Sequence, residues 1–366
     1  IRNKDIRRRT KVIDIAPCQP LTNRWTKVCE EFMDARATEI VVKGLGEGYI
    51  RQWTSHAVVE MMMVIIHQQL QTIFFVQGGF VARLSGSIFY GNGVLSLILS
   101  WRLITSWKSI SEDWTTTEDL DGLNLPPDER IRRRIIAVSC FVAVCAVVEH
   151  TMSMISATGF DIPPEEYFQR YILSSHGFLL QSHEYSIWLA VPIFILSKVA
   201  TILWNYQDLI IILISMGLTS RYHRLNTYVN TLVRVERRSR DIKKKNRNTS
   251  VQTWRKLREA YVRQAVLVRN VDRHIGSLIM LSNLNNFYFI CLQLFLGINK
   301  NQGTLINRAY YFYSLGWLLF RACSVVLAAA DVNVHSRRAL PYLYACPASA
   351  YNIEVSEKLL SINDPI

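Results

Sequence analysis

The sequence lacks the short motifs of the common enzyme classes. It contains no P-loop, dinucleotide-binding fingerprint, nucleophile elbow or paired zinc-ligand motif, so it offers no recognisable phosphate cradle, activated serine or metal cage. His183 and Glu184 adjoin a loop without further ligand partners, so no metal site is predicted there. We therefore expect neither enzymatic activity nor a cofactor.

Disulfide patterns, leader signals and repeats are equally scarce. None of the seven cysteines falls in a segment that we place outside the cell, which argues against a disulfide-stapled ectodomain. The arginine-rich start of the chain is not followed by a short apolar core and a small-residue cleavage site, so no secretory leader is expected. Internal repeats and low-complexity tracts are also absent, which leaves a repeat architecture without support.

Long apolar stretches are what the sequence does contain. Half of the residues are hydrophobic, and the mean hydropathy is +0.12. Six stretches approach the length of about 20 residues that crosses the hydrocarbon core, and they lack the alternation of a transmembrane β-strand. We predict an all-α membrane protein with six visible transmembrane helices, at approximately 56–76, 86–104, 135–157, 187–213, 275–298 and 309–330.

The first of these helices is the weakest prediction. Glu60, His67 and the glutamines at 68, 69 and 71 interrupt its apolar run. Polar side chains of this kind are costly against lipid, so the helix needs protein or water on one side.

The distribution of basic residues predicts the orientation. The net charge of +13 is better explained by the positive-inside rule than by nucleic-acid binding, because apolar runs separate the basic clusters. Of the 42 Lys and Arg residues, only Arg83, Arg170, Lys300 and Arg308 fall in loops on the opposite side from the N-terminus. We therefore predict that the N-terminus is cytoplasmic.

This orientation divides the chain into segments. Residues 1–55 form a cytoplasmic N-terminal segment, and 56–218 contain transmembrane helices 1–4 with an external loop at 158–186. A basic cytoplasmic helical segment follows at 219–274, and 275–330 contain helices 5–6. Residues 331–366 form a last cytoplasmic segment.

The segment 219–274 has apolar residues at roughly helical spacing on both sides of a basic stretch, 237–247. This pattern predicts two amphipathic helices below the membrane. Two interpretations remain open: a basic surface near anionic membrane lipid, or a helical hub for assembly with other subunits.

Seven sequence blocks beyond residue 84 carry a resemblance to a known family. They are FYGNGVLSLILSWRL (89–103), RRRIIAVSCFVAVCAVVEH (132–150), ILWNYQDLIIILISMGL (202–218), WRKLREAY (254–261), LSNLNNFYFICLQL (281–294), YYFYSLGWLLFRACSVVLAAA (310–330) and EVSEKLL (354–360). Taken together and in this order, they resemble the sugar-receptor group of insect gustatory receptors.

The resemblance implies a seven-helix receptor of the plasma membrane, inverted relative to G-protein-coupled receptors. It also implies a homo- or hetero-tetramer with other gustatory receptor subunits, which forms a non-selective cation channel opened by a sugar ligand. In that family the last helix lines the pore. The chain ends at Asp364-Pro365-Ile366, where this helix should begin, so we expect the pore-lining helix to be missing and the chain alone not to conduct.

Two other functions remain as alternatives. A G-protein-coupled-type chemoreceptor also has seven helices but needs its N-terminus outside the cell. A membrane solute transporter should show inverted repeats and helices broken by Gly or Pro, neither of which we find.

A sugar presents hydroxyl groups and apolar C–H faces, so its pocket needs acids, amides and aromatic rings. The outer halves of the predicted helices contain such residues. The ligand-binding candidates are Glu149, His150, Tyr90, Asn92, Trp188, Gln293 and Tyr311.

Each candidate also has a structural interpretation. Glu149 is the strongest candidate, because an acid deep in an apolar run is costly unless it faces a cavity or a partner; with His150, it could instead be a polar pair satisfied within the bundle. Asn92 and Gln293 could form hydrogen bonds between helices. Trp188 and Tyr311 lie near helix ends, where tyrosine and tryptophan are typically anchors at the membrane interface.

Three charged residues within apolar runs are interpreted as structural. Asp208 and Arg321 both lie toward the inner ends of their helices, where a cross-helix ion pair could form. Lys198 either snorkels to the interface or lines water.

Overall fold

The computed structural model describes residues 58–67, 80–119, 123, 125, 128, 130–160, 163–176, 180, 185–239, 247–299 and 304–344. The chain divides into two units, Ile1–Ser55 and His56–Ile366, and all described residues belong to the second. The predictions for segment 1–55, for residues 68–76 of the first helix and for 345–366 lie outside the described residues.

The described residues form helices and no strand. These helices are α1 (Val58–His67), α2 (Phe80–Asp119), α3 (Ile131–Thr158), α4 (Tyr167–His176), α5 (Ile187–Ser239), α6 (Arg247–Asn299), α7 (Leu305–Arg337) and α8 (Leu340–Tyr344). Five of them, α2, α3, α5, α6 and α7, are long and apolar enough to cross a membrane. The all-α prediction is confirmed, and α1 is the described part of the first predicted helix.

Helix α5 is the central element of the bundle. It contacts α2, α3, α4, α6 and α7. Pro192 lies in its second turn, where it removes the backbone N–H that would bond to the carbonyl group of residue 188. Polar groups on α5 can therefore meet partners from most other helices.

Helices α5 and α6 extend far beyond a membrane thickness. Each has 53 residues, which corresponds to about 80 Å at 1.5 Å per residue. The sequence predicted separate amphipathic helices in 219–274, but these segments are continuous with the spanning helices. The physical reason is the absence of Gly and Pro from 218–239 and from 247–275, because nothing in these stretches interrupts the helix.

The largest apolar core lies in these extensions. Helices α2, α5, α6, α7 and α8 bury Tyr222, Leu225, Leu257, Tyr261 and Leu343 there, each at 2% exposure or less. By contrast, α3 leaves Val144 and Val147 more than 60% exposed. Water drives apolar burial in the extensions, whereas apolar side chains within a bilayer are equally well solvated by lipid tails.

The predicted external loop 158–186 contains a helix that the sequence analysis did not identify. Gly159 ends α3 with φ 78°, a conformation that glycine adopts without strain. After a turn of 3₁₀ helix, Pro164–Glu166, α4 packs Tyr171 and Ile172 against α3 and α5. This helix covers one end of the bundle.

Candidate functional site

Glu149 is joined to two other helices through a serine. The Ser314 hydroxyl on α7 donates to Glu149 Oε1 over 2.8 Å, and Gln293 Nε2 on α6 donates to Ser314 Oγ over 3.0 Å. Ser314 is 4% exposed. We call Glu149, Ser314 and Gln293 the Glu149 network. It brings together two of the predicted residues and supplies the partner that an acid within an apolar run requires.

Tyrosine side chains surround this network. The hydroxyl group of Tyr310 lies near Ser153, Ser314 and Glu149. Tyr313 donates from its hydroxyl to the backbone oxygen of Cys145 on α3 over 3.0 Å. The network therefore sits between helices α3, α6 and α7, which aromatic residues help to hold together.

His150 belongs to a different cluster from Glu149, because adjacent residues on a helix do not share a face. Its Nδ1 lies 3.4 Å from Lys198 Nζ on α5. Lys198 donates to the Tyr171 hydroxyl on α4 over 2.8 Å, and its ammonium group lies 4.6 Å from the centre of the Phe194 ring. We call His150, Lys198, Tyr171 and Phe194 the Lys198 cluster. It combines a cation with two aromatic rings.

A buried histidine adjoins the Lys198 cluster. His176 ends α4 at 6% exposure, and its ring meets the Tyr171 ring edge to face at 6.3 Å. Burial, together with the nearby Lys198 charge, lowers the pKa of His176 to about 4. This imidazole is therefore neutral at physiological pH.

The candidates on α2 are buried against α1 and α5. Tyr90 is 1% exposed and packs with Met62 and Leu196, and its hydroxyl faces Ser197. Asn92 is 5% exposed. Among the described residues, its Oδ1 has no hydrogen-bond partner. A buried acceptor without a partner is costly, so Asn92 is suited to receive a donor from a ligand or water.

The two remaining candidates lie at the periphery. Trp188 is 84% exposed at the start of α5, outside both the Glu149 network and the Lys198 cluster. The Tyr311 ring lies against Gly297, where any Cβ would collide with it. Gly297 is one turn beyond Gln293 on α6, so Tyr311 borders the Glu149 network without joining it.

Asp208 and Arg321 form the ion pair suggested by the sequence. Arg321 donates from Nε and Nη2 to Asp208 Oδ2 over 2.8 and 2.6 Å, and both side chains are at most 4% exposed. Asp208 also accepts from Ser282 and Asn286 on α6. We call these four residues the Arg321 network.

The Arg321 network lies on the same face of α7 as the Glu149 network, closer to the C-terminal end of that helix. Arg321 follows Ser314 by seven residues, or two turns of about 5.4 Å each. Trp204 on α5 adds a further link, since its ring lies 4.8 Å from the Arg321 guanidinium carbon and its Nε1 donates to Asn286 Oδ1 over 2.9 Å. Polar contacts therefore connect α6 and α7 at both levels, with α3 joined at the level of Glu149 and α5 at the level of Arg321.

Sequence reasoning missed several residues of these sites. Ser314 and Tyr171 have no signal of their own, because single serines and tyrosines are common in membrane helices and loops. Lys198 did carry a signal, a charge within an apolar run, but its interpretation as snorkelling or lining water did not identify its partners. The contacts with His150 and Tyr171 depend on how α3, α4 and α5 pack.

The sequence matches known receptor proteins. The Trehalose receptor family profile matches residues 49–361. The chain is 30% identical over 288 residues to "Gustatory receptor for sugar taste 64a" of Drosophila melanogaster, across 75% of this chain and 60% of that protein. It is 29% identical over 266 residues to "Gustatory receptor 5a for trehalose" of the same organism, across 71% of this chain and 57% of that protein. It therefore spans less than two thirds of either relative.

A solved structure shares the fold. The insect olfactory receptor OR5 from Machilis hrabei superimposes with a TM-score of 0.51 at 9% sequence identity. The match covers 86% of this chain and 80% of that chain. At this identity the likeness concerns the helical architecture alone.

Proposed function

This chain belongs to the Trehalose receptor family of insect gustatory receptors, and from that membership we propose that it is a subunit of a sugar-gated, non-selective cation channel. Family membership makes it a membrane receptor. The similar Drosophila proteins are named as receptors for sugar taste and for trehalose, which supports a sugar as the ligand class. The fold shared with an insect olfactory receptor supports a common chemoreceptor architecture.

The Glu149 network is the observation that carries the proposed sugar site. It joins a carboxylate on α3 and an amide on α6 to the same hydroxyl group on α7, each by one hydrogen bond. A sugar hydroxyl group both donates and accepts hydrogen bonds. It can therefore donate to Glu149 in place of Ser314, or accept from Gln293 in place of Ser314. A carboxylate accepts shorter and stronger hydrogen bonds than a neutral oxygen does, so Glu149 is the principal proposed ligand contact.

The remaining candidates extend this site. His150 on the adjacent face of α3 and Lys198 on α5 supply polar contacts. Tyr171 and Phe194 supply aromatic rings for the apolar C–H faces of the sugar. Tyr90, Asn92 and Tyr311 border the same end of the bundle. Trp188, which is exposed, is proposed to contact sugar only at the rim.

Gating requires that sugar bind the open state better than the closed state. The Glu149 network supports this requirement physically, since a ligand that takes over the Ser314 contact removes one of the hydrogen bonds that hold α7 to α3. We propose that a homo- or hetero-tetramer with other gustatory receptor subunits converts this change into pore opening. Lipid surrounds the assembly, in accordance with the exposed apolar residues of α3.

The Glu149→Gln variant tests the proposed sugar site in the receptor expressed in cells. The substitution keeps the shape and removes the charge. Loss of a charged hydrogen bond costs about 1.5 to 3 kcal/mol, which corresponds to a roughly tenfold to hundredfold change in affinity. The dose–response for sugar-evoked current should shift to higher concentration by this factor, while the reversal potential stays unchanged.

Glu166→Gln is the matched control, because Glu166 is an exposed acid in the turn before α4. It removes the same charge without touching the network, so the dose–response should not move. An unchanged dose–response in Glu149→Gln, at normal surface expression, removes Glu149 from the sugar site and favours an intrabundle structural role.

A further inference from the structure

A basic cavity lies at the end of the bundle opposite the Glu149 network. Its volume is about 590 Å³, within the range of small-molecule sites. The walls come from the start of α3, the middle of α5 and the end of α7. Arg134 and Glu149 are 15 residues apart on α3, so the cavity lies about 22 Å from the proposed sugar site.

Arginines dominate the cavity wall. Arg130, Arg133, Arg134 and Arg224 line it, together with His223 and His335. The wall also contains two acids, Asp128 and Asp331. With neutral histidines, the four arginines and two acids give the cavity wall a net charge of +2.

Groups of the wall itself already engage both acids. Asp128 accepts from the Ser220 hydroxyl over 2.6 Å and from the backbone N–H of Arg130 over 3.1 Å. Asp331 lies 3.2 Å from the His335 ring. Among the described residues, neither acid forms an ion pair with Arg133 or Arg134. These two guanidinium groups can therefore meet an anion from outside the chain.

Backbone and hydroxyl donors add to the arginines. The first turn of α3 begins at Ile131, and Arg130 caps it without a side-chain hydrogen bond. The N–H groups of Arg130 and Ile131 already bond to Asp128, and the positive end of the helix dipole favours further negative charge at this position. Thr219 also lines the cavity, and its Oγ1 is buried with no partner among the described residues. Planar guanidinium groups beside N–H and O–H donors match phosphate oxygens.

The position along the helices favours a phosphate at the membrane surface. The lining residues of α3, α5 and α7 lie next to the ends of the predicted apolar runs 135–157, 187–213 and 309–330. With the predicted topology, this level is the cytoplasmic headgroup region, where basic pockets between helices bind phosphorylated headgroups.

We propose that this cavity binds a multiply phosphorylated polyol, carried either by a membrane lipid headgroup or by a soluble molecule. The arginines bind the phosphate groups, and the Thr219 hydroxyl binds an oxygen deeper in the cavity. Because α3, α5 and α7 also carry the Glu149 and Arg321 networks, the bound anion holds together the cytoplasmic ends of the helices that the sugar site joins.

The test compares two variants that lose the same charge in the purified full-length receptor. Arg133→Gln with Arg134→Gln removes two guanidinium groups of the cavity. Arg132→Gln with Lys256→Gln is the matched control, since both residues are exposed and neither lines the cavity. A thermal unfolding curve measured without ligand shows whether each variant is folded.

Two probes distinguish the sources of the phosphate. Inositol hexakisphosphate reports soluble binding by calorimetry, and phosphatidylcholine vesicles with or without phosphatidylinositol 4,5-bisphosphate report headgroup binding. Vesicles with phosphatidylserine at matched charge control for general attraction. Loss of each arginine should weaken binding roughly tenfold or more, whereas the control should bind like the unchanged receptor.

If the receptor binds the bisphosphate vesicles preferentially and does not bind the soluble probe, the natural ligand is a lipid headgroup. If it binds the soluble probe, the natural ligand is a soluble molecule. Equal weakening in both variants overturns the proposal, because surface charge then explains the binding. Failure of both probes to bind the unchanged receptor, or equal binding of phosphatidylserine vesicles, overturns it as well. The readout is independent of sugar-evoked current, so it stands apart from the proposed channel function.

Discussion

Asp208→Asn should strongly destabilise the protein, because it leaves a buried arginine without its counter-ion. The Arg321 side chain is 4% exposed and donates twice to Asp208 Oδ2. The amide of Asn has nearly the same shape but no charge. Removal of one partner of a buried ion pair costs about 3 to 5 kcal/mol. We expect a loss of this size in the free energy of unfolding, measured by detergent titration in mixed micelles.

Arg321→Gln should cost less than Asp208→Asn. Without Arg321, the Asp208 carboxylate still accepts from Ser282 and Asn286, so part of its charge remains solvated by protein donors. Without the Asp208 charge, Arg321 retains the Asn205 oxygen at 3.0 Å, a neutral acceptor. The double variant should be more stable than the sum of both losses predicts, since it leaves no unpaired charge.

The exposed pair Arg255–Glu259 provides the control. Its side chains are 68% and 39% exposed at 3.2 Å, and exposed pairs contribute about 0 to 1 kcal/mol. Glu259→Gln should therefore leave the unfolding free energy almost unchanged. Losses below 1 kcal/mol at Asp208 and Arg321, with simple additivity in the double variant, would refute the buried ion pair.

Three further predictions concern topology, pH and packing. Asn248 should carry no glycan in cells, because the predicted topology places it in the cytoplasm; glycosylation detected by enzymatic deglycosylation and gel shift contradicts that orientation. Stability should fall as the pH drops from 6.5 to 4, because over this range the unfolded chain protonates His176 and the folded chain does not; a His176→Gln variant with the same melting profile contradicts this. Gly297→Ala should lower the melting temperature through its clash with Tyr311, whereas Gly316→Ala, which meets nothing within 4 Å, should maintain or raise it; equal effects contradict the packing.

The sequence by itself was sufficient for the class of fold. Apolar run length is a local property, so five of the six predicted spans correspond to the long helices α2, α3, α5, α6 and α7. The described part of the first span is α1. The family blocks also required no tertiary information, since the order of residues along the chain carries them. The predicted orientation depends on a membrane and stays a prediction.

Helix continuity and pairing needed the tertiary structure. The amphipathic pattern of 219–274 predicted helices but not that they continue α5 and α6, because a change from apolar to polar composition does not itself end a helix. Asp208 and Arg321 were separately conspicuous as charges in apolar runs. Their pairing depends on the packing of α5 against α7, 113 residues apart in sequence.

Glu149 shows the same division within the proposed sugar site. Its position in an apolar run required a partner, and the sequence suggested its neighbour His150. The structure instead directs Glu149 to Ser314 and His150 to Lys198, because consecutive side chains on a helix point about 100° apart. Composition thus determined which residues needed partners, and helix packing determined which partners they received, since contacts between distant segments depend on rotation and register that no local pattern specifies.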